Sequence, residues 1–188
     1  RAQVPGQLLS PLTNFRTDEF GGSFENRCRF PLMMLEEVKK VAGNDMLIEI
    51  QFSAEEPEGG YTLEEGIEFL KLAQKYVDIV QVRSPDGDPN HPIPFELNPT
   101  PFLDITAKIK AANLDFVVSN VGGWFYPEMA EKAIAEGKLD MVAMARAWIS
   151  NPDYGDFLYE NKAENLVPCL RCNKCHGRGK HDIMTTCC

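Results

Sequence analysis

Three cysteines stand close together near the end of the sequence. Cys169, Cys172 and Cys175 form C-x2-C-x2-C, and Cys188 follows after twelve residues. Thiolates at that spacing wrap around one small object, and a distant fourth closes the site. The pattern suits a [4Fe–4S] cluster better than structural zinc, which usually takes two C-x2-C pairs or a Cys/His mixture. Zinc stays open because His176 and His181 are near, and Cys187 competes with Cys188 for the fourth position. Five of the six cysteines lie in the last 20 residues. A disulfide-stapled secreted domain would spread them, so the clustering points to a metal site in a reducing, cytoplasmic setting. Cys28 stands apart, beside Phe30, Leu32 and Met33, and reads as a buried thiol.

A second chemical feature is the stretch VVSNVGGWFYPE at 117–128. A strand ends in Gly122-Gly123, and Pro127 sits near the next helix start, where a missing N–H is harmless. Paired glycines let the backbone approach a ligand closely, and N–H groups at such a turn suit a phosphate. The next strand runs into Met144-Ala145-Arg146 and another helix. Barrels of alternating strands and helices often hold phosphate between the loops after their last two strands. By itself, a Gly-Gly turn is equally a tight strand-to-helix connection. The competing reading of Arg146, a surface ion-pair partner, is the lesser one.

The third feature is a polar strand face. Across 46–53 one face carries Ile48, Ile50 and Phe52, and the other Glu49, Gln51 and Ser53. Across 77–83 one face carries Val80 and Val82, and the other Gln81 and Arg83. Strands of an open doubly wound sheet tend to be apolar on both faces. A polar face toward the strand's C-terminal end is what a barrel shows where its strands line the active-site mouth.

The elements that position these residues alternate regularly. Residues 1–25 read as irregular. A helix over 26–41, with Phe30, Met33, Met34, Val38 and Val41 at helical spacing, stops at Gly43. Strands follow at 46–53, 77–83, 115–121 and 139–144. Helices lie at 62–76, 101–111 and 127–136, then near 145–150 and 155–161. Thr62 and Glu65 form a capping box. Residues 84–101 contain six prolines and read as a long loop, with His91 in it. The alternation predicts an α/β fold with a parallel sheet, as part of a (β/α)8 barrel. The barrel portion is 1–165 and a cysteine-rich segment is 166–188. The formal charge of −9 argues against nucleic acid or an anionic membrane surface as partner.

The stretch Gln7–Val38 resembles the Old Yellow Enzyme family. The likeness is greatest to its branch of bacterial 2,4-dienoyl-CoA reductases, 2-enoate reductases and trimethylamine dehydrogenase. Ser-Pro-Leu-Thr-Asn, Arg-Thr-Asp-Glu, Gly-Gly-Ser and Glu-Asn-Arg-x-Arg-Phe occur here in the family's order. The resemblance implies barrel strands 5 to 8, with FMN in the barrel mouth and its phosphate on Gly122, Gly123, Ala145 and Arg146. It implies a cluster on Cys169, Cys172, Cys175 and Cys188, the first-to-fourth span favouring Cys188 over Cys187. It further implies NAD(P)H and FAD on a domain beyond this chain, and a proton donor upstream of it. A small-molecule substrate follows: an activated C=C bond or, in the amine branch, an alkylamine. The sequence is also compatible with a homo-oligomer. There is one departure: the family's strand-5 arginine beside the flavin N1 edge is Gln51 here. Arg83, at the mouth end of the next strand, either supplies the missing charge or pairs with Glu49, expected as a buried acid. Half a barrel is expected to bind FMN weakly by itself.

Overall fold

The computed structural model describes residues 4–83, 100, 102–172, 174–175 and 187. The proline-rich loop with His91 lies outside the described residues except for Thr100 and the flanking positions, and so do His176, His181 and Cys188.

The elements run α1 (Val4–Leu9), α2 (Phe24–Ala42), β1 (Glu49–Phe52), α3 (Leu63–Ala73), β2 (Ile79–Val82), α4 (Leu103–Ala111), β3 (Val117–Val121), α5 (Pro127–Ala135), β4 (Met141–Ala143), α6 (Arg146–Ser150) and α7 (Tyr154–Tyr159). The four strands form one parallel sheet in the order β1-β2-β3-β4. Helix α1 falls where the sequence reads as irregular. Each strand is shorter than the sequence suggests; before β1, Met46 and Leu47 stay exposed outside the ladder.

Local signals explain the helix ends. Ser23 accepts the Asn26 N–H at the start of α2, and Gly43 closes it with φ 61°. Thr62 and Glu65 form the expected capping box on α3. Pro127 begins α5 as expected. Helix α2 departs from expectation in its buried face. That face is Arg27, Cys28, Pro31 and Leu35, while Met33, Met34, Val38 and Val41 are exposed. The helix turns on Arg27, whose guanidinium donates to the carbonyls of Leu9 (2.9 Å) and Gly22 (2.7 Å) and to the Glu65 carboxylate (3.1 Å). Glu65 also accepts the Thr62 N–H, so one carboxylate joins α2 to the start of α3. Ser10 donates to Glu56 at 2.6 Å, and Asn14 donates to the carbonyls of Leu8 and Phe20. The blocks that resemble the family thus build the corner that fastens α1 and α2 to the β1–α3 unit.

The core lies between the outward sheet face and the helices. It gathers Ile48, Phe52, Phe69, Leu70, Val80, Val82, Ile109 and Val118. Each large side chain buried there contributes about 2 kcal/mol. Gly66 permits the closest approach: a β-carbon there would sit 2.1 Å from the Ala54 carbonyl oxygen. Gly66→Ala is therefore expected to cost about 2–3 kcal/mol and to lower the thermal midpoint of the full-length protein. An unchanged midpoint in a calorimetric scan would show that α3 does not press against this loop.

Candidate functional site

Parallel register sets which side chains share a face. Glu49 pairs with Ile79, Gln51 with Gln81, Gln81 with Ser119, and Ser119 with Met141. The face opposite the core therefore carries Glu49 and Gln51 on β1, Gln81 and Arg83 on or just past β2, and Ser119 on β3. The expected polar face is present. Its pairing differs from one expectation: Arg83 Nη1 donates to Gln51 Oε1 at 2.6 Å, while Glu49 accepts from Gln81 Nε2 at 2.7 Å. Glu49 is exposed rather than buried, so it does not demand a cation. Gln51, with a carbonyl to offer, takes the guanidinium instead.

At the same end of the sheet, β3 runs into Gly122 (φ 118°) and Gly123 (φ 85°), backbone angles that L side chains rarely adopt. Val121 pairs with Ala143, so this turn lies beside the one that leads through Met144 and Ala145 into Arg146 at the start of α6. The Gly-Gly turn is braced from below. Trp124 Nε1 donates to Asn120 (2.9 Å), Asn120 donates to Thr106 (2.8 Å), and Thr106 donates to the Phe102 carbonyl (2.6 Å). Trp124 is accordingly a packing residue, whereas Tyr126 is half exposed. The amide–guanidinium pair occupies β1 and β2, and the two turns follow β3 and β4. Their separation is two strand spacings, about 10 Å.

The cysteine segment is fastened to the same corner. Asn151 donates to the Ala147 and Val167 carbonyls and accepts the Val167 N–H. Leu166 and Cys169 pack on Phe125, Ala147 and Tyr154. A cavity of about 180 Å³ is lined by Arg146 and by Cys169, Cys172, Cys175 and Cys187, among others. Among the described residues, no three potential ligands stand close enough to hold a single metal ion. The donor set, four soft thiols around one cavity, fits an iron–sulfur group. Cys187 is thus placed with the other three.

Two arginines meet on one ring. The guanidinium carbon of Arg171 lies 4.7 Å from the Phe125 centroid, and that of Arg146 lies 5.8 Å from it. Burial lowers the Arg171 pKa, the neighbouring Arg146 charge lowers it further, and Cys169 opposes both. Sequence reading gave Arg171 no role. The only available signal was its place between two cysteines.

Alternating strands and helices, with turns and polar side chains gathered at the strands' C-terminal ends, define part of a β/α barrel, a fold whose ligand sites lie at that end. The model of the NADH:flavin oxidoreductase / NADH oxidase family matches residues 4–165, and the chain belongs to that family. It is 37% identical over 174 residues to the NADH oxidase of Thermoanaerobacter brockii, covering 89% of this chain and 26% of that protein. A solved 2-naphthoyl-CoA reductase in complex with 2-naphthoyl-CoA superposes with TM-score 0.85 at 30% identity, over 97% of this chain and 28% of the other. Histamine dehydrogenase from Rhizobium sp. 4-9 superposes with TM-score 0.87 at 26% identity, over 98% and 27%. The chain therefore spans about a quarter of the length of the relatives it matches. Among the described residues, no helix is long and apolar enough to cross a membrane.

Cys28 behaves unlike the tail cysteines. It is 1% exposed, and burial pushes its thiol up to about 12. At pH 8 its thiolate fraction is on the order of 10⁻⁴. Iodoacetamide is expected to label Cys172 and Cys187 in iron-free folded protein and to leave Cys28 untouched until denaturation. Peptide mass spectrometry showing Cys28 modified at the tail's rate would contradict its burial.

Proposed function

We propose that the protein carrying this chain is a flavin-dependent ene-reductase. FMN bound at the barrel mouth would supply hydride transfer to an activated C=C bond, as in an enoyl-CoA or enone. The observation behind this reading is the division of one sheet edge. Two turns suited to a phosphate lie on one half and an amide–guanidinium pair on the other, with a thiol-lined cavity adjoining the phosphate half.

Each residue then has a role. Backbone N–H groups at Gly122, Gly123, Ala145 and Arg146 hold the phosphate, and the Arg146 guanidinium adds positive charge. Gln51 orients Arg83 so that its charge lies at the mouth, where it favours the anionic reduced form of a flavin. Cys169, Cys172, Cys175 and, by the family's first-to-fourth span, Cys188 would hold a [4Fe–4S] cluster, with Cys187 in the cavity as the competing fourth ligand; such a group would supply one-electron chemistry between the flavin and the NAD(P)H and FAD proposed outside this chain. The proton donor also lies outside it, and the setting is cytoplasmic. A second reading, amine dehydrogenation, draws on the likeness to histamine dehydrogenase. Assays of enones and enoyl thioesters against alkylamines separate the two.

The cofactor set is tested by purifying the full-length protein under argon. Flavin, iron and acid-labile sulfide are expected together. Cys188→Ser should lose the iron, while Cys187→Ser keeps it; the reverse result would move the fourth ligand to Cys187. Zinc without iron would leave a structural metal site, and a colourless protein with neither flavin nor iron defeats the whole reading.

The charge role of Arg83 has its own test. Arg83→Ala is expected to shift the flavin's reduced-to-oxidised ratio at fixed potential about tenfold toward oxidised, equal to about 30 mV for a two-electron couple. A spectroelectrochemical titration with an unchanged midpoint would remove Arg83 from the flavin's surroundings.

A further inference from the structure

The C-x2-C loop inverts the usual order of burial. Leu170 is 81% exposed, while Arg171 beside it is 6% exposed. Arg171 also takes φ 54°, a left-handed angle uncommon outside glycine. Burying a guanidinium and holding it in that conformation are both unfavourable by themselves. The loop nonetheless turns this side chain inward, its guanidinium carbon 4.7 Å from the Phe125 centroid, rather than turning the leucine in. A second cation, Arg146, stands on the same ring and lines the cavity that Cys169, Cys172, Cys175 and Cys187 share. Two like charges on one ring repel. Arg146 lines the thiol cavity and Arg171 lies in the loop between two of its cysteines, an arrangement suited to negative charge there.

We propose that Arg171 is the buried counter-charge of the cysteine loop, and that it raises the reduction potential of the proposed cluster held by Cys169, Cys172, Cys175 and their fourth ligand. The inference rests on the cluster reading above. Its physical basis is direct. Four thiolates bring negative charge to the loop, and one-electron reduction adds another unit. A fixed cation in a poorly solvated site stabilises the more negative state preferentially. Arg171 acts through charge and position and is not a ligand. Phe125 connects its position to the phosphate turn, because it follows Gly122, Gly123 and Trp124 directly.

The test is an EPR-monitored redox titration of the full-length protein, comparing wild type with Arg171→Gln, Arg171→Lys and Arg171→Gly. Iron and sulfide are measured on each sample. The glycine variant keeps the left-handed backbone angle and removes the charge, and the lysine variant keeps the charge. Gln and Gly are expected to shift the reduced-to-oxidised ratio at fixed potential about tenfold toward oxidised, equal to about 59 mV for a one-electron couple. Lys should fall between them and wild type. A cluster present in all four with the same potential overturns the role of Arg171 and leaves the cluster reading standing. A wild-type protein without iron overturns both. Loss of iron in Gln and Gly but not in Lys would support the counter-charge in its stronger form. Equal loss in all three variants would reduce Arg171 to a packing residue and overturn the inference.

Discussion

Everything at the catalytic edge depends on the register of the parallel strands, and two aspartates at the opposite edge pin it. Asp78 accepts the Ile48 N–H at 2.8 Å and faces Lys39 of α2 at 3.8 Å. Asp140 accepts the Val118 N–H at 2.8 Å and is held by Lys110 of α4 at 2.7 Å. In both cases an acid just before one strand grips the start of its neighbour, and a lysine from a crossover helix steadies the acid. Burial opposes ionisation of Asp140, but the lysine and the backbone N–H outweigh it and keep its pKa below the usual carboxylate value. A slip of one residue would move every side chain to the other face. Gln51 and Arg83 would then point into the core, and the two glycine and alanine turns would no longer lie side by side.

The same clamp was visible in the sequence only after the fact. Val77-Asp78-Ile79-Val80 and Leu139-Asp140-Met141-Val142 share a pattern, and Leu114-Asp115-Phe116-Val117 repeats it. Their spacing is irregular, so a search for a fixed period passes over them. Features resting on local chemistry were legible: the capping box at Thr62, the stop at Gly43, the paired glycines and the alternating strand faces. Features decided by distant partners were not. The buried face of α2 follows Arg27, because its donors reach Leu9, Gly22 and Glu65, and no hydropathy pattern ranks an arginine above Met33 or Val41. The partner of Arg83 depended on Glu49 being open to solvent, which only the packed sheet reveals. Helix α1 is one of the short elements whose stability comes from packing rather than propensity, and its contacts to α2 lie well ahead in sequence.

The exposed apolar side chains follow the same logic. Met33, Met34, Val38 and Val41 are exposed on α2, and β1 and β4 each have a single neighbour among the described residues. A closed barrel pairs every strand on both sides. The apolar stripe read along α2 is therefore a true surface for burial, in the sense that its composition fits a covered face, yet nothing in these four strands can cover it.

Phe125 draws the candidate site together. Its ring is buried, it begins where the Gly-Gly turn ends, and it carries Arg146 from one turn and Arg171 from the cysteine loop. Cys169 packs on the same small cluster, with Ala147 at the start of α6. The Gly-Gly turn and the cysteine loop share one ring and cannot move independently without opening a cavity beneath it, and packed interiors resist that. Both cations stand within cation–π reach of that ring, which helps to fix where each charge sits.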